Sequence, residues 1–105
     1  MKRLKKTPGL FNVHALRAEI YLEHGNMTVA HEEIRKLEQI VYRGGRTERL
    51  SNLRPFLDIE ISYLTAIGDF AAARRIYDRK NVYSVDEREG GLKRIDMEQA
   101  FRARR

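Results

Sequence analysis

Apolar and polar residues recur with a helical period along most of this chain. From Met27 to Tyr42 the apolar positions Met27, Ala30, Ile34, Leu37 and Val41 return at steps of three and four, and Glu32, Arg35, Lys36 and Gln39 fill the opposite side. That stripe is the face a surface helix buries. The punctuation agrees. A first helix is expected from Pro8 to His24, with Thr7 as its cap and Pro8 at the first position, where a missing N–H costs nothing. Gly25 ends it in a left-handed conformation. Asn26 caps the second helix, Met27 to Tyr42, which Gly44-Gly45 breaks.

A third helix is expected from near Leu53 to Gly68, because Pro55 suits a first turn; residues 47–52 read as an extra turn or a loop. Asp69 caps a fourth, Phe70 to Lys80, with Phe70, Ala73, Ile76 and Tyr77 inward. Residues 82–85 read as a connector. Ser84-x-x-Glu87 has the form of a capping box, but Gly90-Gly91 interrupts the run after it. The final helix is therefore expected from Leu92 to Ala103, anchored by Leu92, Ile95 and Phe101.

The first and third helices are apolar on more than one side. In the first, Leu10, Phe11, Ala18, Tyr21 and Leu22 make one face and Val13, Leu16 and Ile20 another. In the third, Phe56, Leu57, Ile61, Leu64 and Ile67 share a face, with Ile59 and Ala66 elsewhere. Such helices need partners on several sides. Two readings stand for Val13, Leu16 and Ile20: contact with another chain or ligand, or cover by the last helix folding back. Glu60, inside the apolar arc of the third helix, either pairs with a nearby Arg or reaches water at the edge, since a buried carboxylate needs a partner.

One short pattern occurs twice. Gly25-Asn26-Met27, Ala30 and Ile34 are answered by Gly68-Asp69-Phe70, Ala73 and Tyr77, 43 residues later. Tyr21 and Leu64 stand four residues before the two glycines. The physics fits each position: Gly permits the tight turn, Asn or Asp caps the next helix, and Ala lets two helices approach. Over roughly residues 11–80 these residues resemble tetratricopeptide repeats. The period departs from that family's usual one of about 34. The position where the family often has Pro holds Tyr42 and Val85, and the early Trp and Leu are not both present. The longer period resembles divergent repeats of bacterial signalling regulators.

The resemblance implies an all-α chain of antiparallel helical hairpins stacked as an α-α superhelix. It divides into a basic tail (1–7), a first hairpin (8–43), a second (47–81) and a C-terminal capping segment (85–105). Such modules mostly bind proteins, on a concave surface lined by the first helix of each hairpin. Here that surface would carry Ala15, Leu22, Ile59 and, as peptide contacts, Asn12, Glu19, Glu23, Asp58, Ser62 and Thr65. It is acidic and has no basic cluster, so it suits a basic or apolar peptide rather than an acidic chain end. Val13, Leu16 and Ile20 are the expected oligomer interface. Two repeats are fewer than usually stand alone; the last helix caps the stack, the chain dimerises, or it belongs to a longer array.

Composition narrows the remaining classes. The 105 residues are 42% apolar and 34% charged, as in a small globular domain. With no cysteine, disulfides and thiol catalysis are excluded. No apolar run reaches membrane-spanning length and no signal core follows the basic start, so a soluble cytoplasmic protein is expected. The three histidines, His14, His24 and His31, form no metal-ligand spacing, and no phosphate loop is present. No enzyme, cofactor or metal is expected. The net charge of +6 gathers at Lys2, Arg3, Lys5, Lys6, Arg102, Arg104 and Arg105. It reads either as solvated tails or as attraction to nucleic acid. In the nucleic-acid alternative Arg43, Arg46, Arg74 and Arg75 would form a basic surface with Tyr42 and Tyr83 nearby, acting in a transcription-regulatory accessory role.

Overall fold

The computed structural model describes residues 7–42, 50–79 and 82–104. These form five helices and no strand: α1 (Thr7–Glu23), α2 (Met27–Val41), α3 (Leu50–Ile67), α4 (Phe70–Ile76) and α5 (Val85–Ala103). Arg43, Gly44, Gly45 and Arg46 lie outside the described residues, as does the basic segment before Thr7. The chain divides into two compact units, Met1–Ile59 and Glu60–Arg105.

In the first unit α1 packs on α2. Gly25 joins them at φ +77°. Its N–H donates to the Leu22 carbonyl at 3.1 Å, and the Asn26 N–H reaches back to Tyr21 at 2.9 Å. This double bond pattern satisfies carbonyls that a helix end leaves open. The Asn26 side chain then accepts from Val29 N at 3.3 Å, which caps α2. The core holds Phe11, Ala18, Ala30, Ile34, Leu37 and Val41, with Leu53, Phe56 and Leu57 from the start of α3. Ala18 and Ala30 are wholly buried. Burying each large apolar side chain contributes about 1.5–3 kcal/mol. Phe56 meets Tyr42 edge-on, with ring centroids 6.0 Å apart.

The second unit repeats the turn. Gly68 stands at φ +88°. Its N–H donates to Thr65 at 3.1 Å and the Asp69 N–H to Leu64 at 2.8 Å. Asp69 accepts from Ala72 N at 3.2 Å and so caps α4. The two motifs are thus alike in backbone conformation and in cap chemistry. Here α4 packs on α5, and Ile61, Ala73, Tyr77, Tyr83 and Ile95 are buried.

Four expectations need correction. Helix α3 starts at Leu50, and Pro55 lies inside it. One backbone bond is forgone there, while the apolar positions on either side, Leu53, Phe56 and Leu57, are buried. Helix α4 stops at Ile76 rather than Lys80: Asp78 N donates to Arg75 at 3.1 Å and Arg79 N to Ile76 at 3.2 Å, so the chain tightens into three-residue turns. Helix α5 begins at Val85 and runs unbroken through Gly90-Gly91. The capping box is complete, with Ser84 Oγ accepting from Glu87 N at 3.1 Å and Glu87 accepting from Ser84 N at 2.9 Å. Phe101, expected as an inward anchor, is 59% exposed.

The end of α5 is held instead by a cation. Arg102 donates to the Ala66 carbonyl at 3.1 Å, near the end of α3, and to Glu98 at 2.9 Å. Its guanidinium lies over the Phe70 ring, 5.5 Å from the centroid. Arg102 is therefore part of the packing and not of a solvated tail.

The capping box gives a direct prediction. Ser84→Ala should cost about 1 kcal/mol, because an unpaired amide replaces a satisfied one at the start of α5. Thermal unfolding followed by circular dichroism checks this; a variant as stable as the parent would mean that the cap contributes nothing.

Candidate functional site

The outer side of α1 gathers two sets of predicted residues on one exposed face. Phe11 and Ala18 are buried, with His14, Ala15, Tyr21 and Leu22 half-buried beside them. What remains outward is Asn12, Val13, Leu16, Arg17, Glu19, Ile20 and Glu23. Val13 is 50% exposed, Leu16 58% and Ile20 42%. At steps of three and four these three residues form a stripe along the helix. Asn12, Glu19 and Glu23 run along one side of the stripe, and Arg17 along the other. The expected peptide contacts and the expected oligomer contacts of α1 are thus neighbours on a single surface.

The inner side of α1 holds a hydrogen-bonded pair. His14 Nδ1 lies 2.5 Å from Glu33 Oε1, and Lys36 Nζ is 3.5 Å from the other carboxylate oxygen. Glu33 is buried. Burial alone would raise its carboxyl pKa; the hydrogen bond from His14 and the charges of Lys36, His14 and Arg17 outweigh that and hold it below the ordinary value. The pair ties α1 to α2 and so fixes which side of α1 faces out. The sequence reading missed it. The signal was the spacing: Glu33 stands three after Ala30 and four before Leu37, and His14 three after Phe11 and four before Ala18.

The remaining predicted contacts are placed less favourably for a ligand. Asp58 is exposed but paired with Arg54 at 3.3 Å. Ile59 is buried and offers no surface, which corrects its assignment to a binding groove. In the second unit Ser62 is exposed, while the half-buried Thr65 donates its hydroxyl to the Ile61 carbonyl at 2.8 Å. Arg43 and Arg46 lie outside the described residues. Arg74 is engaged by Asp96 at 2.9 Å and by Gln99. Tyr83 is buried, its ring 4.9 Å from that of Tyr77, so it presents no face on which a base could stack.

Glu60 lies in the second unit. It is half-buried and lines a shallow cleft of about 380 Å³ with Leu64, Ala72, Arg75, Ile76 and Arg79. Two guanidinium groups thus stand in the same cleft as the carboxylate. Among the described residues no group of His, Asp and Glu is arranged to hold a metal ion, and no helix is long and apolar enough to cross a membrane.

No family model, curated protein or solved structure matches this chain.

Proposed function

We propose that this chain is a non-enzymatic protein-recognition module, a scaffold or regulatory domain that takes up an apolar or basic segment of another polypeptide on the outer face of α1. The observation that carries this is the exposed stripe of Val13, Leu16 and Ile20 beside Glu19 and Glu23. Contiguous large apolar side chains on a surface mark contact sites, because water is expelled from them on association. The acidic border adds selectivity by favouring basic flanks and opposing acidic ones. The resemblance to tetratricopeptide repeats supports a peptide-binding use of α1 through Asn12, Glu19 and Glu23, which border the stripe.

The test is a selection of peptides from a random display library on the 105-residue chain, with the double variant Leu16→Glu/Ile20→Glu as the counter-target. Enriched peptides should combine apolar residues at helical spacing with Lys or Arg. The double variant should bind them at least about 30-fold more weakly, the loss typical of central contacts. Peptides that bind both proteins equally, or binding that persists only on nucleic acid carried through purification, would defeat the proposal.

A further inference from the structure

The cleft beside Glu60 brings charges of both signs together with an apolar wall. Glu60 and Leu64 stand one turn apart on α3, Ala72, Arg75 and Ile76 lie on α4, and Arg79 follows in the turns after it. All six belong to the second unit. Leu64, Ala72 and Ile76 are half-buried, and Arg75 and Arg79 are exposed. The two arginines differ from their neighbours. Arg74, Arg88 and Arg102 each hold a carboxylate at 2.9 Å, whereas Arg75 and Arg79 are in no ion pair with a described residue.

Each part of this lining selects one part of a ligand. A guanidinium group recognises a carboxylate through paired N–H donors. Leu64, Ala72 and Ile76 leave apolar surface that a short aliphatic group can cover, with release of water. Glu60 opposes a second negative charge, which disfavours a phosphate dianion, and it favours a cationic group instead. A carboxylate accepts at about four positions, so Glu60 can take a ligand N–H beside the interaction it already has within the chain. The volume of about 380 Å³ is at the small end of ligand sites.

We propose that this cleft binds a free α-amino acid with an aliphatic side chain. The carboxylate lies on Arg75 and Arg79, the side chain against Leu64, Ala72 and Ile76, and the ammonium beside Glu60. The site is separate from the outer face of α1 and does not depend on the recognition reading. Because the cleft is shallow, binding is weak, with a Kd on the order of 1 mM.

The test is a titration of the ¹⁵N-labelled 105-residue chain, followed by amide shifts, with L-leucine and three analogues that each lack one part. 4-Methylpentanoate lacks the ammonium, leucinamide the carboxylate, and glycine the side chain. Leucine should give saturable shifts around Leu64, Ala72 and Ile76, and each analogue should bind at least about tenfold more weakly. Arg75→Gln/Arg79→Gln should weaken leucine by at least about tenfold. In Glu60→Gln, leucine should bind little better than 4-methylpentanoate.

Circular dichroism shows whether the variants remain folded; the analogue series on the parent chain decides the matter without them. No saturable shift up to about 20 mM leucine, leucinamide binding as tightly as leucine, or a leucine preference over 4-methylpentanoate unmoved in E60Q would each overturn the proposal. Inorganic phosphate binding more tightly than leucine would also overturn it, leaving a general anion site. A leucine-ended peptide that binds at least about tenfold more tightly than leucine would replace the free amino acid with a polypeptide end.

Discussion

Replacing Gly91 with alanine should destabilise the second unit by about 1–3 kcal/mol, although alanine is the better helix former. Gly91 is buried inside α5. A Cβ at that position would stand 2.2 Å from Tyr77 Cζ and 2.6 Å from its hydroxyl. Tyr77 cannot retreat cheaply, because it is itself buried and packs against Tyr83. Overfilling a packed site forces side chains off their preferred rotamers. Gly90 is the internal control. Its Cβ would meet nothing within 4 Å, so Gly90→Ala should raise stability by about 0.5–1 kcal/mol through the helix propensity alone. Adjacent glycines in one helix should thus respond with opposite signs. Thermal melts resolve this, since 1 kcal/mol moves the midpoint of a small domain by about 4–8 °C. If G91A melts no lower than G90A, the α4–α5 contact at Tyr77 is not as described.

The second large effect is expected at the His14–Glu33 pair. His14→Ala should cost about 2–3 kcal/mol, because a buried carboxylate loses a charge-assisted bond and keeps only the nearby charges of Lys36 and Arg17. Glu33→Gln should cost less at neutral pH, since the amide can still bond to the ring. The double change His14→Leu/Glu33→Leu should cost much less than the sum of His14→Ala and Glu33→Ala, as no polar group is then left unpaired. The pH dependence follows from the lowered Glu33 carboxyl. A carboxyl whose folded pKa lies below its unfolded one binds fewer protons when folded. Its stabilising contribution is complete above the ordinary value of 4.5 and is lost as pH falls through the folded value. Denaturant unfolding at neutral and acid pH should therefore show the parent losing this contribution in acid, and E33Q lacking that part of the loss. A parallel decline in both proteins would assign acid sensitivity to other carboxylates.

The two predictions also mark where the sequence was readable. The helix starts at Asn26 and Asp69 and the left-handed turns at Gly25 and Gly68 were legible, because each rests on local backbone chemistry within four or five residues. The stripe of α2 was legible for the same reason. Gly90-Gly91 was misread as a break. The reason for Gly91 lies fourteen residues earlier, in the ring of Tyr77, and no local rule carries that information. Pro55 was misread because tertiary burial of its neighbours outweighs one missing hydrogen bond. Arg102 looked like tail charge, and only the fold brings the Ala66 carbonyl and the Phe70 ring to it.

The candidate site was half legible. The second apolar face of α1 is explicit in the spacing of Val13, Leu16 and Ile20, and the structure leaves all three exposed. The groove residues depended on helical register instead, and there the reading was less secure. Ile59 proved to be buried, and the Thr65 hydroxyl is spent on its own helix. What orients α1 is the His14–Glu33 pair. It was hidden because each partner, taken singly, looks like an ordinary surface residue.

The most direct test of the recognition surface is an amide chemical-shift map of the ¹⁵N-labelled 105-residue chain, titrated with a peptide from the selection. The account predicts that the shifts concentrate on the outer positions of α1, Asn12 to Glu23, and disappear in Leu16→Glu/Ile20→Glu. Shifts concentrated instead around Glu60, Arg75 and Arg79 would contradict it and move the binding site to the cleft of the second unit.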